Sequence, residues 1–310
     1  MADKMATRQA YGEFLLEMGK IMPNLIVMDG DLSKSTMTNA FSQAFPDRFF
    51  NMGIAEQNLF GTAAGLALSG KVVCASTFAM FASGRAYEIV RNSIGYTRAN
   101  VKICATHAGL TVGEDGASHQ TFEDIALMRV IPGMTVVNPA DGNSAKILLK
   151  QAVISDGPYY IRLGRAAVPL VYAADADIEI GKGHCLREGG DYTVIATGIM
   201  INEALKAAAV LEARGISLRV VDMHTIKPLD GEIIEKAVNE TETIVVAEEH
   251  SVIGGLGSAV AEYTAANCPT RIAFVGQKDV FGESGKPDQL LRKYGMTADD
   301  IVEAVDSLVV

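Results

Sequence analysis

The sequence predicts an α/β protein of two domains in series, each a mostly parallel sheet covered by helices. Three observations predict it. Short β-branched runs alternate with longer amphipathic segments. The runs are apolar nearly throughout, as strands covered on both faces are. The alternation fades between about 166 and 190 and then resumes, and 310 residues leave room for two domains.

The first alternation places strands at Leu25–Asp29, Lys71–Ser76, Val101–Thr106, Thr135–Asn138 and Tyr159–Arg162. Helices are expected between them at about 8–20, 57–69, 80–96, 122–129 and 141–154. Pro169, Asp175, Asp177, Gly181, Gly183, Gly189 and Gly190 then break the pattern. The expected division is a first domain at 1–170, a linker at 171–190 with a connecting strand or two, and a second domain at 191–310. In the second, strands fall at Thr193–Thr197, Ser217–Asp222, Thr243–Ala247 and Arg271–Val275. Its helices are expected at about 202–214, 231–239, 255–265, 286–294 and 297–307.

Composition narrows the function. A formal net charge of −10 argues against a nucleic-acid-binding surface. No apolar run approaches the roughly 18 residues that span a bilayer. Met1–Arg8 has no apolar core of a signal peptide, so a cytoplasmic protein is expected. Cys74, Cys104, Cys185 and Cys268 are widely spaced, and the first two sit inside strand-like runs. They read as free thiols in a reducing compartment, with no disulfide framework and no zinc site.

Chemistry concentrates where predicted strands end. In Asn51-Met52-Gly53-Ile54-Ala55-Glu56-Gln57-Asn58 a glycine-broken turn delivers one carboxylate, Glu56, to the head of a small-residue helix. The macrodipole alone favours an acid there, as a cap; burial against another surface would fit it for chemistry instead. The 106–120 loop holds three glycines, two acids and two of the five histidines, His107 and His119. It lies where open α/β sheets bind ligands. Two histidines twelve apart make a poor metal pair. Phe78 and Phe81, three apart, share a face, as core packing or as a cradle for a flat heterocycle. Arg162 and Arg165 straddle Gly164, as surface charges or as a phosphate fork. Gly254-Gly255-Leu256-Gly257 lacks the spacing and following acid of a dinucleotide fingerprint, and close packing is the better reading. Glu248-Glu249-His250 suits an interface or a pocket rim.

In this order the segments resemble the transketolase family of thiamine-diphosphate enzymes, specifically its pyrimidine-binding and C-terminal domains. The resemblance runs through Ala6-Thr7-Arg8, Gly30–Ser35, Arg48–Asn58, Ser76–Phe81, the 106–120 loop, Asp222–Pro228 and Glu248–Ser258. It implies that Glu56 hydrogen-bonds N1′ of the cofactor's aminopyrimidine, driving its tautomerisation and ylid formation. Phe78 and Phe81 then flank the pyrimidine, with Ile54 and Asp31 also at the cofactor. Arg8, Ser35, His107 and Arg165 bind the phosphate end of a sugar phosphate, Asp115 reads a substrate hydroxyl, and His119 stands beside the reacting carbons. The family holds the diphosphate and its Mg²⁺ or Ca²⁺ through a Gly-Asp-Gly segment in a preceding domain, whereas here Gly30-Asp31 is followed by Leu32. The resemblance therefore implies the C-terminal subunit of a split transketolase, with no metal ligands of its own. An N-terminal partner would complete an α2β2 heterotetramer that moves a two-carbon ketol unit between pentose-type sugar phosphates. One residue departs from the family: its usual Tyr is Gly84 here, with Tyr87 nearby. Alternatives are the β subunit of a 2-oxo-acid dehydrogenase, a deoxyxylulose-phosphate-synthase-like enzyme, and a non-catalytic partner.

Overall fold

The computed structural model describes residues 3–241 and 243–308, so the outermost domain limits, 1 and 310, lie outside the described residues. Its first strands are β1 (Lys4–Ala6), β2 (Leu25–Asp29), β3 (Phe49–Asn51), β4 (Val72–Phe78), β5 (Val101–Thr106), β6 (Thr135–Val137), β7 (Tyr159–Arg162) and β8 (Ala167–Pro169). The chain continues with β9 (His184–Arg187), β10 (Tyr192–Ala196), β11 (Leu218–Asp222), β12 (Thr225–Lys227), β13 (Thr243–Ser251) and β14 (Ile272–Gln277).

Successive side chains of a strand point to opposite faces, and here both faces are core. Leu25, Val27 and Cys74 join one apolar cluster, while Ile26, Met28, Val73 and Ala75 join the other. The helices Thr7–Ile21 and Gly142–Ile154 cover the first face, and the helix Glu56–Leu68 covers the second. Thr7–Ile21 buries Thr7, Ala10, Tyr11, Phe14, Leu15 and Met18, the stripe of a helix packed on one side.

The seven-stranded sheet runs β12-β6-β7-β5-β4-β2-β3, parallel except for β12. The five-stranded sheet runs β14-β13-β10-β11-β9, parallel except for β9. The prediction of two α/β domains in series holds. Strand β12 was not expected: it follows β11 of the second domain yet pairs with β6 of the first. β1 and β8 form a separate antiparallel ribbon. The helix expected at 80–96 runs instead through two wide π-turns, Phe81–Arg85 and Val90–Gly95. Such insertions are frequent at functional sites. Among the described residues no helix is long and apolar enough to cross a membrane.

Behind β6 the domains share a polar seam. Asp141 caps the helix Gly142–Ile154 through Ser144 N at 2.8 Å and also accepts from Tyr172 N at 2.9 Å. Tyr172 in turn donates to Asp222 at 2.8 Å. Burial pushes the Asp222 carboxyl up to about 8 against that hydrogen bond, with Asp141 adding to the rise. A raised folded pKa means the folded chain holds this proton more tightly than the unfolded chain, whose value is near 3.9. Stability from this group is therefore full below about pH 4 and is lost as pH rises to about 8. Asp222→Asn keeps an acceptor for Tyr172 and removes that loss. Urea unfolding should show the variant ahead by about 1–3 kcal/mol at pH 8, with the gap closing towards pH 4. A gap that does not change with pH would contradict the protonated carboxyl.

Candidate functional site

Strand β2 takes β3 on one side and β4 on the other, so the order of strand addition reverses there. Ligands of open α/β sheets bind outside the carboxyl ends of strands at such a point. The carboxyl ends of β2, β3, β4, β5 and β7 and the segments just after them carry every residue given a cofactor or substrate role by the resemblance except Arg8, which opens the first helix.

Asp29 ends β2 and builds the next loop. It is buried, and its carboxylate accepts from Leu32 N at 2.6 Å, Thr36 Oγ1 at 2.6 Å and Thr38 Oγ1 at 3.0 Å. The sequence reading missed it, although an acid at a strand end followed by two threonines is a recognisable loop organiser. Asp31 follows in the left-handed conformation and receives Asn51 Nδ2 at 3.0 Å. Asn51 Oδ1 in turn accepts from Gly53 N at 3.0 Å, and Gly53 has φ +72°. That turn sets Glu56 at the first position of its helix.

Glu56 is 3% exposed, and its Oε2 has no hydrogen-bond partner within the chain. A buried carboxylate oxygen without a donor is costly and rare in native structures. Capping therefore does not account for it. Ile54, two residues before it, stands 77% exposed.

Beyond β4 and β5 four rings assemble. Phe78 stacks on His107 with centroids 3.9 Å apart and on Phe81 at 6.0 Å. His119 meets Phe81 edge-on at 5.5 Å and Phe78 at 6.0 Å. His107 has φ +57°, and its Nδ1 lies 2.9 Å from Thr106 Oγ1. Its Nε2 faces Arg8 Nη1 at 3.5 Å. A guanidinium only donates, so Nε2 is the acceptor and Nδ1 carries the proton. Burial, then Arg8, Arg165 and His119, push the His107 pKa down to about 3. It is a neutral imidazole at any physiological pH.

Arg8 Nη1 donates to Ser35 O at 2.8 Å, which ties the first helix to the loop after β2. Burial and then Arg165 lower the pKa of Arg8. Arg165 holds Val112 O and pairs with Glu114 at 3.0 Å. Arg162 does not join this basic end: it is buried with Asp124 at 2.7 Å. Of the two readings of this pair, surface charges or a fork, neither fits the buried Arg162, and the arginine near Arg165 is Arg8. Asp115 ends the turn Leu110–Asp115 and is exposed. Tyr87 is half-buried against the apolar face under Glu56–Leu68.

The Gly254–Gly257 turn opens the helix Leu256–Asn267, but Glu248 occupies its end, accepting from Leu256 N at 2.7 Å and Gly257 N at 2.8 Å. Among the described residues no group of three or more His, Cys, Asp or Glu is placed to hold a metal ion.

Residues 3–171 match the family description "Transketolase, pyrimidine binding domain" and residues 181–301 match "Transketolase, C-terminal domain". The chain is 51% identical to a putative transketolase C-terminal section of Methanocaldococcus jannaschii, over 96% of this chain and 94% of that one. It is 42% identical to the 6-deoxy-6-sulfo-D-fructose transketolase subunit SqwH of a Clostridium species, over 96% and 92%. A solved structure described as a split gene transketolase, inactive beta4 tetramer, superposes with a TM-score of 0.90 at 53% identity, covering 98% of both chains.

Proposed function

The chain belongs to the transketolase family, and from that premise we propose that it is the C-terminal subunit of a thiamine-diphosphate-dependent transketolase. The reaction is transfer of a two-carbon ketol unit from a ketose phosphate to an aldose acceptor. Bound thiamine diphosphate supplies the carbanion chemistry.

The observation that carries the reading is the His107 ring. It lies on Phe78 while its far edge faces Arg8, so an aromatic bed and a basic end are built on one side chain. The residues present fit the cofactor: Phe78 and Phe81 offer parallel apolar rings, and Glu56 Oε2 is a buried acceptor still lacking a donor. Glu56 would hold the proton of the aminopyrimidine ring nitrogen, with Asp31 and Ile54 on neighbouring turns. Arg8 and Arg165, with Ser35, would hold the anionic tail of the sugar. His107, kept uncharged, would flank that tail without competing for it, its Nε2 lone pair turned to Arg8. His119 and Asp115 would address the hydroxyls nearer the reacting carbons. The relative named for a sulfonated ketose supports an anionic tail at that end.

The diphosphate and its Mg²⁺ or Ca²⁺ are assigned mainly to an N-terminal partner subunit, in a cytoplasmic α2β2 assembly. With that partner, thiamine diphosphate and Mg²⁺, ketol transfer from xylulose 5-phosphate to ribose 5-phosphate is expected, and the chain alone should show none. Reductive acetylation of a lipoyl domain from a 2-oxo acid, without ketol transfer, would overturn the reading. Robust transfer by the chain alone would refute the split.

A further inference from the structure

The loop bearing His107, Asp115 and His119 belongs to the first domain, yet the second domain anchors it. Thr111 N donates to Glu249 Oε1 of β13 at 2.6 Å, across 138 residues of chain. Gly109, at φ +77°, passes so close to the Glu249 carboxylate that a Cβ would collide with it. Further along, Gln120 Nε2 donates to Leu110 O at 3.2 Å and to Glu283 O at 3.0 Å. Glu249 is itself fixed: it is 3% exposed, and Arg162 Nη2 donates to its backbone oxygen at 2.9 Å.

His107 stands two residues before Gly109 in a left-handed conformation. Non-glycine residues keep such a conformation only where their surroundings over-determine it. Phe78, Thr106 and Arg8 hold the ring, and Glu249 holds the backbone just beyond it. We propose that Glu249 is a positioning residue for recognition of the sugar's anionic tail, acting from the second domain through the Gly109–Thr111 backbone on His107. This rests on the functional reading above. It gives the second domain a role in the site that no catalytic side chain of its own supplies. Burial raises the Glu249 pKa while Arg162 opposes the rise. Charged or neutral, a carboxyl oxygen there accepts from Thr111 N, so Gln can replace it and Ala cannot.

The test uses the assembled enzyme with its partner subunit. Glu249→Ala should raise the KM for the phosphorylated donor about tenfold, the equivalent of ~1.4 kcal/mol, with little change in kcat. The KM for a ketol donor lacking phosphate should stay near wild type, and Glu249→Gln should restore the KM for the phosphorylated one. Should Glu249→Ala fail to fold, Glu249→Met keeps the volume without the acceptor and should behave the same way. Hydrogen–deuterium exchange over residues 107–113 should rise in the Ala or Met variant and not in Gln. Equal losses with both donors, unaltered KM in a folded Met variant, or unaltered exchange would overturn the proposal. If wild type transfers no ketol unit at all, the functional reading falls, while the exchange comparison still decides the anchoring.

Discussion

Glu56→Gln should lower kcat of the assembled enzyme by about 10²–10⁴-fold, the usual contribution of a proton-handling side chain, while leaving fold and assembly intact. The amide matches the carboxylate in size and still offers an oxygen, but it carries no charge to stabilise a proton on the cofactor's ring nitrogen. The structural cost is small for two opposed reasons. An acid in the first turn of a helix contributes about 0.3–1 kcal/mol through the macrodipole, and its loss is partly offset because a buried oxygen without a donor no longer carries charge. Turnover and stability should therefore separate. Single-turnover rates would report the first, and thermal unfolding with size-exclusion profiles the second. Wild-type turnover in the Gln variant would remove Glu56 from the chemistry. Loss of assembly would make it a structural residue.

The sheets were legible because their strands carry enough residues to show a pattern. Leu25–Asp29 and Val101–Thr106 are mostly apolar runs buried along their length, Lys102 included, and the apolar majority is what the sequence shows directly. β3, β12 and the β1–β8 ribbon, three residues each, hold no periodicity and escaped notice, while β6, as short, showed because Thr135, Val136 and Val137 are all β-branched. β12 escaped for a second reason: its partner, β6, is some 90 residues upstream in the other domain, and local pattern says nothing about non-local pairing. The π-turns at Phe81–Arg85 and Val90–Gly95 were invisible for a different reason. An extra residue in a helical turn changes the register of side chains without changing composition.

At the site, the aromatic bed was half legible. The spacing of Phe78 and Phe81 suggested a shared face, but their meeting with His107 depends on β4 and β5 lying side by side in register, Phe78 opposite Thr106. The family resemblance supplied that neighbourhood in advance; spacing alone could not. Arg162 and Arg165 show the converse. Three apart in sequence, they read as surface charges or as one fork, yet Arg162 is the last residue of a strand buried throughout and Arg165 lies beyond it in a loop. Strand burial parted two charges that sequence had placed together, and folding brought Arg8 to Arg165 instead.

Arg162 bears the second large expected effect. Asp124→Asn should destabilise the chain by about 3–5 kcal/mol, the cost of stranding one member of a buried ion pair. Asp124 is wholly buried, 2.7 Å from Arg162 Nε, and also accepts from Tyr160 at 2.8 Å. Burial works to raise its pKa, but Arg162, His250 and the hydrogen bonds together hold it below the ordinary carboxylate value. A depressed carboxyl stabilises the fold above its unfolded pKa near 3.9, and that contribution is lost as pH falls through the folded value. At pH 7 the Asn variant should therefore show the full loss as a lower urea midpoint with unchanged slope, and its gap from wild type should narrow only below about pH 4. Asp124→Leu with Arg162→Met removes both charges and should recover much of the loss, because the low-dielectric site penalises a lone charge more than it rewards the pair. The double variant still forfeits the Arg162 hydrogen bond to Glu249 O, so its stability and its site should part company. Recovered unfolding midpoints with a raised KM for the phosphorylated donor would tie this core pair to the anchor of the His107 loop. Recovery of both would confine the pair to stability.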